Sequence, residues 1–507
     1  MARTSRHVVR TWPADHDVPD AIMQPREDVV LEVAVEPEVG ELARFEQREG
    51  PFGGYRRSVI RDQSTRVVTE RTTYRLDVPW FGWLFGPLVR RQLRRPERSD
   101  PVWAPPDRLT TRQVNVLGLL AAASLLSAFS NTLFTQTVAY AGDDFGVGDW
   151  GRGVGGMIVR LGIILGLPAA LVADRIGRRR VVVFLAWTAP IVAALGSLAP
   201  NFAALVATQA VSRPLGLALD LLVAVIAAEE MPRNSRAYAV SILAMANGLG
   251  AGAAVILLPL ADVGDSGWRV IYAMSLVWLV VAVDLTRRLP ETERFLVRRA
   301  DTRAAVPMQR RRLAVQMSVS FFGNLLLAPA SFFQNGYLKD ERGFSAAMVA
   351  VFTLVTSTPA VIGLVVGGRV ADQRGRRRLA VTCVPIGAVL IASSFFFGGP
   401  LLWMAAISGA VVAATAYPSL AVYRTEMFPT GRRGRAAFLI LASALVGGSL
   451  SLLLVGALLD RDVAHGPVMM SLVIGPAIVA AIVWRTYPET AHRELEDINP
   501  EDTTRPS

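Results

Sequence analysis

Twelve long apolar runs follow one another between Val114 and Trp484, and they restrict the folds that this chain can adopt. Most of them approach or exceed the roughly 20 residues that an α-helix needs to cross the hydrocarbon core of a bilayer. Because lipid offers no hydrogen-bond partner to an open backbone, each run is expected to be helical. The runs are 114–141, 153–173, 181–198, 202–228, 237–261, 268–285, 313–333, 346–370, 379–397, 401–422, 436–458 and 468–484. The sequence therefore predicts an all-α membrane protein with twelve transmembrane helices.

Composition excludes several other classes of protein. The 507 residues are 52% hydrophobic with a mean hydropathy of +0.38, too apolar for a water-soluble chain of this size. The net charge of +11 does not indicate nucleic-acid binding, because the arginines lie in short clusters between the apolar runs. All four histidines lie outside these runs, so we expect no metal site and no cofactor. The sequence also has no phosphate-binding glycine loop and no nucleophile elbow, and we do not expect an enzyme.

The basic residues predict how the helices cross the membrane. With the N-terminus inside, the five inner loops carry 22 arginines, whereas the outer loops carry only Arg152, Arg269, Lys339, Arg342 and Arg461. Cytoplasmic loops of membrane proteins carry the excess of Lys and Arg. We therefore expect a multi-pass protein of the plasma (inner) membrane with both termini in the cytoplasm.

Residues 1–112 precede the first run and have a different composition. The segments 29–35 and 65–78 are rich in β-branched residues, and Gln63 and Ser64 can turn a hairpin between 55–61 and the second segment. A small β-rich cytosolic domain is predicted here. Residues 80–95 place aromatic side chains before a basic cluster, which favours a helix at the membrane surface. An ordinary amphipathic core helix explains that pattern equally well.

Three motifs repeat at nearly the same spacing. The stretch 172–180 recurs at 370–378, and Pro290-Glu291-Thr292 recurs at 488–490, both 198 residues later, while Glu229 recurs as Glu426 after 197. The repeat unit is therefore six helices. We predict an N-terminal half (113–286), a basic linker (287–312), a C-terminal half (313–486) and a cytosolic tail (487–507). Two parallel six-helix repeats are typical of secondary transporters.

At these motifs the chain resembles the major facilitator superfamily. Residues 368–378, GRVADQRGRRR, closely match the loop that joins the second and third helices of each half in that family, and residues 170–180, ALVADRIGRRR, match it more weakly. The stretches EMFPT at 426–430 and PETAHRELEDI at 488–498 are similar to the sugar (and other) transporter branch. The paired glutamines that sugar porters carry in the seventh helix are missing, which argues against a hexose as the substrate.

The resemblance implies a gate at the inner ends of the helices. In the family, charged residues of this loop latch against acidic residues at the ends of the fourth and tenth helices. The alternative is that the arginines only anchor the loops at the membrane surface. The candidate gating residues are Asp174, Gly177, Arg178, Glu229 and Arg236 in the first half, and Gly368, Asp372, Gly375, Arg376, Glu426 and Arg433 in the second.

Polar stripes predict where a substrate binds. In the first helix, Ser124, Ser127, Asn131 and Thr135 lie at spacings of three and four residues and so share one face, next to Gln136. The seventh helix carries a similar stripe of Gln316, Ser320, Asn324, Ser331, Gln334 and Asn335. The resemblance places both helices at the central cavity, so the asparagines and glutamines are candidate substrate contacts. Hydrogen bonds between helices are the alternative, especially for the serines.

Two ionisable residues lie inside the fourth predicted helix. Arg213 and Asp220 are seven residues apart, about 10.5 Å along a helix, and lie on nearly the same face. A carboxylate at this depth can load and release a proton as the cavity alternates between the two sides. We therefore expect the proton motive force to drive transport through Asp220. The alternative is a static ion-pair network of Arg160, Arg213 and Asp220.

The function predicted from the sequence is proton-coupled uptake of a small polar metabolite, such as a sugar, polyol or organic acid. Two alternatives are a proton-driven exporter and a transporter-like sensor that signals through its N-terminal domain. A small-molecule substrate and the lipid bilayer are the expected partners, and we expect a monomer.

Overall fold

The computed structural model describes residues 6–13, 20–62, 67–95, 101, 103–105, 107–162, 164, 172–173, 176–232, 235–291, 309–428 and 433–489. The chain folds into two parts. An N-terminal sheet domain precedes a bundle of long apolar helices. We call the end of the bundle that adjoins the sheet domain the domain face, and the opposite end the distal face.

The sheet domain is built from five antiparallel strands in the order β1-β5-β4-β3-β2. They are β1 (Arg6–Pro13), β2 (Leu31–Val35), β3 (Glu41–Glu49), β4 (Arg56–Asp62) and β5 (Val67–Tyr74). The predicted pairing of 55–61 with 65–78 is confirmed as β4 and β5, although Gln63 and Ser64 lie outside the described residues. Strand β2 lies within the predicted segment 29–35. The sequence did not reveal β1 or β3; in β3, five charged residues among nine hide the strand pattern.

Helix α1 (Gly82–Arg94) packs one face on this sheet. Val89 and Leu93 are buried with Val8, Phe52 and Tyr74 of the sheet domain. The sheet domain contacts the helix bundle through apolar and polar side chains. Phe81 is buried in one cluster with Leu117 and Leu120 of the bundle. The Asn115 amide donates to Asp77 (3.1 Å), and the Trp80 indole donates to Asp284 (3.1 Å).

The described helices occupy all twelve predicted runs. In the first half they are α2 (Thr111–Asp144), α3 (Asp149–Gly162), α4 (Arg178–Leu195), α5 (Phe202–Glu230), α6 (Arg236–Ile256) and α7 (Trp268–Arg288). In the second half they are α8 (Arg310–Asp340), α9 (Ala346–Ser357), α10 (Ala360–Arg374), α11 (Arg376–Ser393), α12 (Gly399–Glu426), α13 (Arg433–Leu459) and α14 (His465–Thr486). Among the described residues, ten spans are long and apolar enough to cross a membrane. Of the other two runs, the second is described as a helix only to Gly162, and α11 begins with three arginines.

Two predicted runs are not continuous helices. The run 346–370 is divided between α9 and α10 at Pro359, because proline has no backbone N–H to donate and its ring clashes with the preceding turn. The run 268–285 changes to a 3-10 helix over Met274–Trp278 and then returns to an α-helix. Both corrections concern the local course of a span and leave its position unchanged.

Packing within the halves follows the sequence repeat. Helix α2 packs along α6, and its counterpart α8 packs along α13. Helix α4 packs on α5, as α11 packs on α12. The two halves meet chiefly where α3 lies against α13, so the interface between them runs through the middle of the bundle.

Candidate functional site

Asp220 lies on α5 where three helices of the first half converge. Its Oδ1 accepts a hydrogen bond from the Ser124 hydroxyl of α2 (2.7 Å) and another from the Asn247 amide of α6 (3.3 Å). The carboxylate is half-buried. The predicted stripe on α2 therefore reaches Asp220 through Ser124, and Asn247 is a partner that sequence reasoning missed.

The rest of the stripe on α2 faces α5. Ser127 donates to the Gly216 carbonyl (2.6 Å), and the Asn131 amide donates to the Ser127 hydroxyl (3.2 Å). The Asn131 Oδ1 is buried and has no hydrogen-bond partner among the described residues. Buried polar atoms are nearly always hydrogen-bonded, so this oxygen is available to water or to a ligand.

Arg213 lies about 10.5 Å from Asp220 along α5, toward the distal face. Its guanidinium forms no hydrogen bond or ion pair with a described residue, and its Nε is buried. The ionisable groups that interact with it electrostatically are the guanidinium of Arg160 and the neutral hydroxyl of Tyr272. Arg213 and Asp220 therefore do not form a direct ion pair.

Arg160 projects from α3 across the interface between the halves. Its guanidinium donates to the Asn324 Oδ1 of α8 (2.7 Å), while its Nε is buried without a partner among the described residues. Gly448 of α13 lies so close that a Cβ there would come within 2.5 Å of the Arg160 Nε. Arg160 is thus enclosed by α3, α8 and α13.

The midplane of the bundle holds an excess of positive charge. Within the twelve apolar runs the only acidic residues are Asp220 and Asp284, and Asp284 lies at the end of α7, where it pairs with Arg288 (2.9 Å). No carboxylate among the described residues pairs with Arg160 or Arg213. The static network of Arg160, Arg213 and Asp220 is not formed in the described structure.

A cavity of about 200 Å³ lies next to Asn324 in the second half. Helices α8, α11, α12 and α14 line it mostly with apolar side chains, including Leu327 and Leu420. Its polar lining includes Ser320 and Asn324, and the Ser320 hydroxyl has no partner among the described residues. Asn324 therefore lines this apolar cavity and also accepts the hydrogen bond from the Arg160 guanidinium.

Polar contacts between the halves continue from the midplane to the distal face. The Asn335 amide of α8 donates to the Gln136 side-chain oxygen (2.9 Å) and backbone carbonyl (2.8 Å). Lys339 pairs with Asp143, and Arg152 pairs with Asp143 and, at 3.7 Å, with Asp340. Gln136 and Asn335, proposed from the sequence as substrate contacts, therefore bind each other here. Gln334 is half-buried beside them.

We call the contacts of Gln136 with Asn335, of Asp143 with Lys339 and of Arg152 with Asp340 the distal latch. A helix terminus adds to it. The Asp262 carboxylate of the first half accepts hydrogen bonds from the backbone N–H groups of Ala346 (3.0 Å) and Ala347 (3.2 Å), at the start of α9 in the second half. Carboxylates stabilise helix N-termini by satisfying free N–H groups. Sequence reasoning missed the latch, although Arg152, Lys339 and the acidic residues beside them stand out as charges between apolar runs.

The repeated loops have the same geometry in both halves. Gly177 and Gly375 precede α4 and α11 with φ of +108° and +101°, a left-handed conformation that favours glycine. Glu291 accepts from the backbone N–H groups of Arg178 and Arg179 (both 3.1 Å). Glu489 accepts in the same way from Arg376 (2.9 Å) and Arg377 (3.2 Å). The repeated Pro-Glu-Thr motif therefore supplies the cap of the helix that follows each loop, a role the sequence did not reveal.

Part of the predicted gate can be located. Arg178 forms an ion pair with Glu229 at the end of α5, which is the contact that the resemblance implies for the first half. Asp174 lies outside the described residues. Gly368 lies within α10, but its surroundings and the side chains of Arg236, Asp372, Glu426 and Arg433 lie outside the described part of the structure.

A membrane bundle of two repeated halves, with polar and charged groups at the interface between them, has the architecture of a secondary transporter. The Major Facilitator Superfamily matches the chain over residues 120–452 and again over residues 313–504. The chain belongs to this family.

Solved structures share the fold. The xylose transporter XylE from E. coli, in an inward-open conformation, has a TM-score of 0.62 with 16% identity, covering 77% of this chain and 99% of that protein. A bacterial homolog of the human lysosomal transporter Spinster, inward-facing and unoccupied, has a TM-score of 0.60 with 17% identity, covering 78% of this chain and 99% of that protein. At these identities the likeness shows the fold alone.

One curated relative is similar in sequence. The cis,cis-muconate transport protein of Acinetobacter baylyi is 25% identical over 192 residues, which is 34% of this chain and 45% of the relative. The match thus spans less than half of the relative's length.

Proposed function

We propose that this transporter couples proton entry to the uptake of a small organic anion. Among the sugars, polyols and organic acids that the sequence allowed, the organic acids have the strongest support. The observation that carries this choice is the pair Arg160 and Arg213, two guanidinium groups at the midplane without a carboxylate partner among the described residues. Burying a charge is costly unless an opposite charge accompanies it, and a bound carboxylate supplies one.

The cavity suits the remainder of such a substrate. A carboxylate held by Arg160 lies close to Asn324, which lines this cavity together with Leu327 and Leu420. Binding sites typically combine apolar walls with a few polar groups that fix orientation. The similarity to a protein named for cis,cis-muconate transport, whose substrate carries two carboxylates and a hydrocarbon body, supports the same class.

Asp220 is the proton carrier in this proposal. It is the only acidic residue deep within the apolar runs, and its two partners, Ser124 and Asn247, contain groups that donate and accept hydrogen bonds. They can therefore bond either the ionised or the protonated carboxyl group. With the distal latch closed, proton and substrate leave toward the domain face, and opening of the latch loads both from the distal side.

The proposal includes an orientation. The domain face is cytoplasmic and the distal face is outside, in agreement with the 22 arginines of the inner loops. In a Cys383→Ala background, a cysteine at exposed Asp265 should react with an impermeant maleimide added to intact cells, while one at exposed Arg48 should react only after lysis. The reverse pattern would contradict the orientation.

Proton flux in proteoliposomes tests the coupling. Purified protein is reconstituted with a pH-sensitive dye inside, and cis,cis-muconate, other carboxylates, xylose, polyols and cationic drugs are added in turn. We expect co-directional movement of protons and a carboxylate. Asp220→Asn should abolish proton-driven accumulation but preserve exchange, whereas Asp284→Asn, the matched control, should preserve both. Proton movement opposite to that of a cationic drug would support the exporter, and coupled flux with xylose alone would assign a sugar.

A further inference from the structure

The exposed face of α1 carries a cluster of arginines. Pro87, Arg90, Arg91 and Arg94 follow Trp83 by four, seven, eight and eleven residues and so lie on one side of the helix. Together with Arg6 of β1, the proline and the three arginines line a cleft that we call the basic cleft. The described residues that line it include no carboxylate.

The opposite face of α1 fixes the helix in place. Gly86, Val89, Gln92 and Leu93 are buried against the sheet domain, and the Gln92 amide donates to Asp28 (3.0 Å). The helix therefore cannot turn its arginines toward the sheet without exposing these buried side chains. The packing of the domain holds the basic cleft outward.

Contacts with the bundle place α1 at the membrane boundary. The Trp80 indole, just before α1, binds Asp284, which lies four residues before the end of α7. Trp83 is 67% exposed, and Trp80 is 36% exposed. Tryptophan is enriched where membrane helices enter the headgroup region, because its ring is apolar and its N–H is polar. The N-terminal end of α1 is thus level with the end of a transmembrane helix.

We propose that the basic cleft binds the phosphate headgroup of an acidic phospholipid in the adjacent leaflet. Arginine suits this role because its planar guanidinium can donate two parallel hydrogen bonds to a phosphate. Clustered basic residues next to a transmembrane helix are attracted to acidic lipid. The bound headgroup attaches the sheet domain to the bilayer, in addition to the contacts that the domain makes with the first half of the bundle.

Hydrogen exchange of the full-length protein in nanodiscs tests this proposal. One set of nanodiscs contains phosphatidylcholine alone, and the other contains phosphatidylcholine with phosphatidylglycerol. We expect slower exchange in α1 when phosphatidylglycerol is present. The variant Arg90→Gln/Arg91→Gln/Arg94→Gln should lose this difference. The control Arg48→Gln/Arg61→Gln/Arg71→Gln removes the same charge from exposed positions outside the cleft and should keep it.

Lipid retention measured by native mass spectrometry gives the size of the preference for phosphatidylglycerol. Three basic charges near an acidic surface should raise the affinity for phosphatidylglycerol on the order of 100-fold. The variant should lose that preference over phosphatidylcholine, and the control should retain it. Equal exchange of α1 in both kinds of nanodisc, or an unchanged lipid preference in the variant, would overturn the proposal. Exchange elsewhere in the sheet domain shows whether the variant is folded.

Discussion

Buried arginines in the sheet domain and in the membrane bundle have opposite surroundings. Arg57, fully buried in the sheet, pairs with Glu32 (2.6 Å) and Glu70 (3.2 Å) and donates to two backbone carbonyls. Arg160 and Arg213 have no described carboxylate partner. A buried charge with a full set of partners holds a fold together, whereas one without them is available to a ligand. The comparison thus separates structural charges from candidate functional ones.

The largest expected effect is on the stability of the sheet domain. Arg57→Met leaves Glu32 buried without its main cation, and removing one partner of a buried pair destabilises a protein by about 3–5 kcal/mol. Calorimetry of the full-length protein should show the domain unfolding at a lower temperature. The double variant Arg57→Met/Glu32→Leu should recover part of the loss, and exposed Arg48→Met should have little effect. An unchanged domain transition in Arg57→Met would show that these charges are not structural.

The same kind of substitution in the bundle should affect function instead. Arg160→Gln breaks no ion pair with a described residue and loses one hydrogen bond, to Asn324, so we expect the free energy of unfolding to change by no more than about 1.5–3 kcal/mol, less than in Arg57→Met. If Arg160 binds the substrate carboxylate, affinity should fall roughly 10- to 100-fold, as expected for a hydrogen bond to a charged group. Thermal unfolding and substrate binding are measured on the same preparation. A large loss of stability with unchanged affinity would make Arg160 structural.

The smallest expected effect is a dependence on pH in the sheet domain. Burial acts to raise the pKa of Asp28, but the hydrogen bond and charge of Arg26 outweigh it and hold that pKa below its ordinary value. Ionised Asp28 therefore contributes stability that is fully present above its unfolded pKa of about 4 and is lost as the pH falls through the lower folded value. The domain transition of the wild type should fall between pH 5 and 3 more steeply than that of Asp28→Asn. If the transition temperatures of the wild type and Asp28→Asn fall in parallel with pH, ionised Asp28 does not contribute to the stability of the domain.

Much of the fold could be predicted from the sequence because a lipid bilayer requires each span to be a helix of about 20 mostly apolar residues. The apolar runs located the spans, and the repeated motifs located the boundary between the halves. Strand β3 was missed because its solvent-facing residues are charged, and the break at Pro359 was missed because the run around it remains apolar. Local pattern thus predicts where a segment lies better than it predicts the course of its backbone.

The site was less predictable because its contacts join distant residues. The stripe on α2 and the residue Asp220 were identified from spacing, but no pattern indicated that Asn247 would complete the environment of Asp220. Asn324 was proposed as a substrate contact, and the structure places it against Arg160, 164 positions earlier in the chain. Spacing defines the face of one helix, whereas the partners depend on how the two halves pack.

Equilibrium binding to purified full-length protein tests the central claim most directly. Isothermal titration calorimetry with cis,cis-muconate compares the wild type with Arg213→Gln, Arg213→Lys and the exposed control Arg485→Gln. We predict binding by the wild type and the control, a loss of at least about tenfold in Arg213→Gln, and partial recovery in Arg213→Lys, which keeps the charge. Equal affinity in the wild type and Arg213→Gln, or binding of xylose but of no carboxylate, would contradict an anion site at the midplane arginines.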